Sequence, residues 1–115
     1  MKKSAKRKST KSQPLTLKRL RKVNLKRCEA VFHPLDSWTP SDWATALAGE
    51  VGELCNFIKK MRRGEKIPLE ELAKECGDVQ CYLDLTAARL GIDLEKATIS
   101  KFNEVSDRRK TKIKL

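Results

Sequence analysis

Apolar side chains recur every three or four positions from Leu15 onward and almost nowhere before it, so the chain reads as a polar leader followed by amphipathic helices. Met1 to Pro14 is Lys, Ser and Thr without periodic apolar residues, which predicts disorder. Leu17, Leu20, Val23 and Val31, with Asn24 and Arg27 between them, mark the face of a first helix. Two prolines make Phe32 to Pro40 a loop, since the residue before each is pushed toward extended geometry. Ser41 is the predicted N-cap of a second helix, which runs to about Arg62 before Gly64 stops it; its stripe is Trp43, Ala44, Leu47, Val51, Leu54, Ile58 and Met61. Pro68 suits the first turn of a third helix, Leu69 to Leu90, with Leu72, Cys76, Val79, Leu83, Ala87 and Leu90 on one side and Gly91 as its C-terminal cap. Asp93 caps a fourth helix through about Val105, and the polar residues after it predict a frayed end or short tail.

No stretch alternates with period two. The predicted fold class is therefore all-α, with four antiparallel helices and a core small enough to be completed by homo-oligomerisation. The predicted organisation is a disordered basic segment over 1–14, one helical domain over 15–108 and a short basic tail over 109–115.

Net charge of +11 suggests a nucleic-acid partner until its distribution is examined. Residues 1–27 hold twelve Lys or Arg and no acid, whereas residues 28–115 hold fourteen basic and fifteen acidic side chains. The helical body is close to neutral, and an accessory nucleic-acid contact is expected only from residues 1–27. Cys28, Cys55, Cys76 and Cys81 form no CxxC pair and read as small buried hydrophobes kept reduced. No apolar run approaches the roughly 20 residues that span a bilayer, and no hydrophobic segment follows the basic start as in a signal peptide. A soluble, cytoplasmic protein without a membrane partner is the expectation.

The candidate chemistry lies in two acidic pairs. Glu50 with Glu53, and Glu75 with Asp78, are each one turn apart on one side of a helix, and two antiparallel helices can bring four carboxylates together on a hard cation. Spacing alone does not separate them from a solvated helix face; their neighbours do. Surface acids commonly have Lys or Arg three or four residues away, yet Glu50, Glu53 and Glu75 have none, and Asp78 has only Lys74. Acids set among Val51, Leu54, Phe57, Cys76, Val79 and Tyr82 need compensation that a bound metal would supply. Gly49 and Gly52 lie inside the second helix at a cost of about 0.5–1 kcal/mol each relative to Ala, which suggests close packing or room for a ligand.

Glu50-Val51-Gly52-Glu53-Leu54, Glu75-Cys76-Gly77-Asp78-Val79 and the following Tyr82 resemble the MazG-type nucleotide pyrophosphohydrolases of the all-alpha NTP pyrophosphatase superfamily, which includes dCTP pyrophosphatases and dimeric dUTPases. The resemblance extends from about Leu15 to Arg108 and takes in Trp43, the Ala44 to Gly49 lead-in and Lys101-Phe102-Asn103. It implies Mg²⁺, with Mn²⁺ as its substitute, on Glu50, Glu53, Glu75 and Asp78, and hydrolysis of a (deoxy)nucleoside triphosphate to the monophosphate and pyrophosphate. It also implies a homodimer or tetramer and a house-cleaning role in the nucleotide pool, with a pyrimidine mildly favoured. The long basic leader is less typical of the compact members.

Glu53 is the acid expected to orient or deprotonate the attacking water. Through the resemblance Lys101 is expected to contact the triphosphate, with Lys60 and Arg108 as further cations. Trp43, Trp38 and His33 lie in the segment that recognises the base in related dCTP pyrophosphatases, and an aromatic plane can stack on any base. Tyr82, one turn beyond Asp78, can flank the metal or touch sugar or base, and Asn56 can donate a hydrogen bond to a ligand. Their simpler roles are core packing for the aromatics and solvation for Asn56. Two other functions compete: a small basic nucleic-acid-binding protein, and a non-catalytic helical assembly domain with a degenerate site. The intact set of four carboxylates argues against degeneration.

Overall fold

The computed structural model describes residues 13–115; the expectations for the leader before Gln13 lie outside them. Four α-helices follow one another: α1 Leu17–Arg27, α2 Pro40–Arg62, α3 Leu69–Arg89 and α4 Leu94–Arg108. Among the described residues there is no strand, as the 3.6-residue periodicity predicts. The long α2 and α3 form a hairpin that is the main helix pair of the molecule, and α1 lies across α3. Gly64 and Gly91 carry the left-handed turns after α2 and α3, with φ of 96° and 74°.

The start of α2 differs from the sequence expectation. Thr39, not Ser41, is the N-cap: its hydroxyl accepts from the Asp42 amide at 3.1 Å, and the Asp42 carboxylate accepts from the Thr39 amide at 2.9 Å. This reciprocal pair satisfies two end donors at once, and Pro40 at the first helical position has no amide to leave unpaired. Pro68 likewise stands just before α3 as its cap, and α4 runs past Val105 to Arg108. Residues after α4 are tied back onto it: the Asn103 side chain exchanges two hydrogen bonds with the Leu115 backbone, at 2.8 and 3.2 Å, and Lys114 pairs with Asp107 at 2.8 Å.

A π-turn over Cys28–Phe32 follows α1, where the sequence pattern runs a regular helix on to Val31. The His33 amide reaches back to the Cys28 carbonyl at 3.0 Å, and the Cys28 thiol donates to the His33 carbonyl at 3.2 Å. Burial first, and then Glu29, push that thiol's pKa up, so it remains a donor. Cys28, Trp43 and Leu85 form the core, with Leu25, Leu35, Trp38 and Tyr82 packed around it. Trp43 is 2% exposed, and its indole donates to the Leu35 carbonyl at 3.0 Å.

Behind this core, α1 is locked to α3 by buried polar groups. Asp84, with no exposed surface, accepts from Arg21 Nε at 2.8 Å and from Asn24 Nδ2 at 3.1 Å. Asn24 also donates to the Cys81 carbonyl at 2.9 Å, and Arg21 to that of Ile92 at 3.0 Å. The outer stripe of the hairpin is another matter. Val51, Ile58 and Met61 of α2, Leu83 of α3 and Leu90 just after it are exposed, and so are Cys55 and Cys76, which the sequence pattern predicts to be buried, because one chain has too few elements to cover both sides of its hairpin. A Cβ added at Gly49, Gly52 or Gly77 would meet nothing within 4 Å, so no packing inside the chain accounts for these helical glycines. Among the described residues no helix is long and apolar enough to cross a membrane.

Candidate functional site

Because α2 and α3 run side by side from the Gly64 turn, their acidic turns meet. Glu50 of α2 and Glu75 and Asp78 of α3 each offer a carboxylate oxygen, and the three atoms lie within 4.8 Å of one another. Glu50 and Glu75 are half-buried and Asp78 is exposed. Glu53 stands outside this trio, and its charge adds to the field that acts on Glu75. Buried Oε1 of Glu75 has no hydrogen-bond partner. Desolvation, followed by Glu53, Asp78 and Glu50, raises the pKa of Glu75; desolvation, followed by Glu53 and Asp78, raises that of Glu50. A cluster that resists its own ionisation and leaves a buried oxygen unpaired suits a divalent cation, which would neutralise the repulsion and take the free lone pair. Hard oxygen ligands favour Mg²⁺ or a similar ion.

Next to the acids lies a cavity of about 390 Å³ whose wall combines Asp78 and Tyr82 of α3 with His33, Trp38, Trp43 and Arg27. Its aromatic side is continuous: His33 and Trp38 centroids are 4.3 Å apart, Trp38 and Trp43 4.7 Å, and Trp43 and Tyr82 6.3 Å. The loop carrying these rings is pinned, with Arg89 Nε on the Trp38 carbonyl at 2.8 Å and Glu29 on the Leu35 amide at 2.6 Å. His33 Nδ1 lies 3.1 Å from the Pro34 carbonyl and 3.0 Å from Ser37 Oγ, whose hydroxyl already donates to that carbonyl. The carbonyl can only accept, so a hydrogen bond to it needs the proton on Nδ1, the tautomer in which Nε2 is an acceptor. Desolvation, then Glu50 and Asp78, raise the Tyr82 pKa against a smaller opposing influence of Arg27, so the phenol lies in the field of both the acids and the guanidinium.

The sequence-derived cations are elsewhere. Lys101 and Arg108 both pair with Glu104, at 2.9 and 3.7 Å, and the Lys60 ammonium lies 5.7 Å from the Phe57 ring centroid. None of the three lines the cavity, and neither does Asn56, which is exposed on α2. Arg27 does line it and escaped the sequence reading, since one cation among the twelve of the first 27 residues carries no mark of its own. Asp84 had a readable signal: like Glu50, it has no basic residue three or four positions away, with Gln80, Cys81, Ala87 and Ala88 there instead.

The chain matches no family model and no curated protein.

Proposed function

We propose that this chain is a Mg²⁺-dependent nucleoside triphosphate pyrophosphohydrolase of MazG type, as its paired acidic motifs resemble. The observation that carries the reading is the junction of two different surfaces at Asp78: the carboxylate cluster on one side, and an aromatic cavity large enough for a nucleobase on the other. Trp38, Trp43 and Tyr82 would stack on base and sugar, while Nε2 of His33 would accept from an exocyclic amine, a preference that favours cytosine mildly among pyrimidines.

Glu50, Glu75 and Asp78 are the residues that would hold Mg²⁺, which when bound supplies the charge that admits a polyphosphate to an acidic site and polarises the phosphoryl group. Glu53, outside the trio, would take the proton of the attacking water. The water oxygen bonds to phosphorus as the α–β bridging bond breaks, and pyrophosphate leaves with the bridging oxygen. Pyrophosphate release from a panel of ribo- and deoxynucleoside triphosphates is expected to require Mg²⁺ and to be fastest with a pyrimidine deoxynucleotide. Equal turnover after chelation would remove the metal from the reaction, and a purine preference would remove the base assignment alone.

The same reading includes a homodimer or a tetramer built from dimers. Its support is the set of exposed apolar side chains Val51, Ile58, Met61, Leu83 and Leu90, together with the open space at the helical Gly49, Gly52 and Gly77, which a neighbouring chain could approach without steric cost. Light scattering at micromolar concentration should give an even multiple of the chain mass. A fully folded monomer at that concentration defeats the assembly.

A further inference from the structure

A site that binds a triphosphate beside three or four carboxylates has a charge problem that one divalent cation does not solve. The nucleotide brings about four negative charges at neutral pH, and like charges a few ångströms apart in partly solvated surroundings repel strongly. Some cation of the protein has to face the polyphosphate. Lys101 and Arg108 are engaged with Glu104, and Lys60 does not line the cavity. Among the residues that line the aromatic cavity, Arg27 is the one cation.

We propose that Arg27 is the polyphosphate-binding residue of this site; the proposal rests on the nucleotide reading of the cavity. Three observations carry it. Asp78, a member of the carboxylate trio, lines the same cavity as Arg27, so the guanidinium and the proposed metal site open onto one space. No carboxylate lies within 4.0 Å of the Arg27 guanidinium among the described residues, in contrast to Arg21, Arg63 and Arg108, each of which has an acidic partner. Its guanidinium carbon is 5.6 Å from the Phe32 ring centroid, a cation–π contact that orients the planar group without using its N–H donors.

The backbone beneath Arg27 is held firmly. Asn24, one turn earlier on α1, donates both to the Cys81 carbonyl and to Asp84, and Cys81 is itself part of the cavity wall. On the other side, the π-turn is closed by the bond from the His33 amide to the Cys28 carbonyl. The last turn of α1 is thereby fixed against the stretch of α3 that carries Asp78 and Tyr82. A basic residue at a helix C-terminus also has a plain role, since it complements the helix dipole. That role predicts a small change in stability and none in ligand affinity.

The test uses the full chain, Mg²⁺ and inorganic tripolyphosphate, which carries the charge of a nucleotide without its base. Calorimetric titration of wild type, Arg27→Gln and Arg27→Lys is paired with melting curves and with Mg²⁺ titration alone. Loss of one bidentate charge-assisted contact should weaken tripolyphosphate binding about ten-fold in Arg27→Gln, with Arg27→Lys in between. Mg²⁺ affinity and melting temperature should stay at the wild-type values. Unchanged tripolyphosphate affinity in Arg27→Gln overturns the role of Arg27 and leaves the nucleotide reading standing. A parallel fall in Mg²⁺ affinity and melting temperature makes Arg27 a structural residue and overturns it equally. Wild type that binds no tripolyphosphate in Mg²⁺ overturns the nucleotide reading, and Arg27 with it.

Discussion

Glu75→Gln is expected to lower pyrophosphate release by a hundred-fold or more, on the order of what the loss of one preorganised group at a reacting centre costs. Among the four acids Glu75 is the hub: Glu53, Asp78 and Glu50 all act on it, and its Oε1 is the buried atom without a partner. Glutamine keeps the shape but removes the charge, so the trio loses a ligand while the helices remain. Stability should move in the opposite direction. Without metal, wild type carries unrelieved repulsion between carboxylates, and the substitution should raise the melting temperature; added Mg²⁺ should then stabilise wild type more than the variant, because it binds the folded state.

The pH dependence follows from the same shifts. Glu50 and Glu75 have folded-state pKa values above the ordinary carboxylate value, so folding favours their protonated forms. Their contribution is fully present below that ordinary value and is lost as pH rises through the raised folded values. Metal-free wild type should therefore gain stability on mild acidification from neutrality. Asp93 and Glu104 run the other way: the Lys96 amide lowers the pKa of the first and Lys101 that of the second, and their contribution is lost only as pH falls below the ordinary carboxylate range. The two windows do not overlap, so a melting profile resolves them, and Glu75→Gln should flatten the upper one. Wild-type turnover by the variant with an unchanged Mg²⁺ response would remove Glu75 from the metal site.

Asp84→Ala should cost about 3 kcal/mol of stability, the lower part of the range for removing one member of a buried ion pair. Three donor contacts to the Asp84 side chain and backbone come from Arg21 and Asn24, and the Asp84 carboxylate has no solvent to replace them. Arg21 is 23% exposed and can recover part of its hydration, which is why the upper part of the range is not expected. For a domain of this size the loss corresponds to a fall in melting temperature of roughly 10–20 °C. Replacing Arg21 by Leu as well should return part of the stability, because the orphaned guanidinium is then gone. Chemical denaturation measures both, and a loss below about 0.5 kcal/mol, the scatter of ordinary surface substitutions, would show that the network does not hold α1 on α3. Since Asn24 and Arg27 share that helix face, the single variant should also disturb the cavity, which Trp38 and Trp43 report through their emission.

Local physics made the helices legible in the linear chain. A 3.6-residue repeat, a glycine after α2 and α3 and Asp93 before α4 are each properties of a few neighbouring residues, and those boundaries agree with the structure to within a few positions. The N-cap of α2 slipped by two residues because Thr39 and Ser41 are both good caps, and only the reciprocal bond with Asp42 chooses between them. The meeting of Glu50 with Glu75 and Asp78 was also legible, since a short turn at Gly64 leaves two long helices little choice but to lie antiparallel. What the chain could not reveal is which side of α1 rests on α3. That choice buries Asn24 and Asp84 instead of another apolar pair, and brings Arg27 rather than Lys60, Lys101 or Arg108 to the cavity. Long-range pairings of this kind depend on side chains 57 to 63 residues apart fitting one another, information that no local periodicity contains.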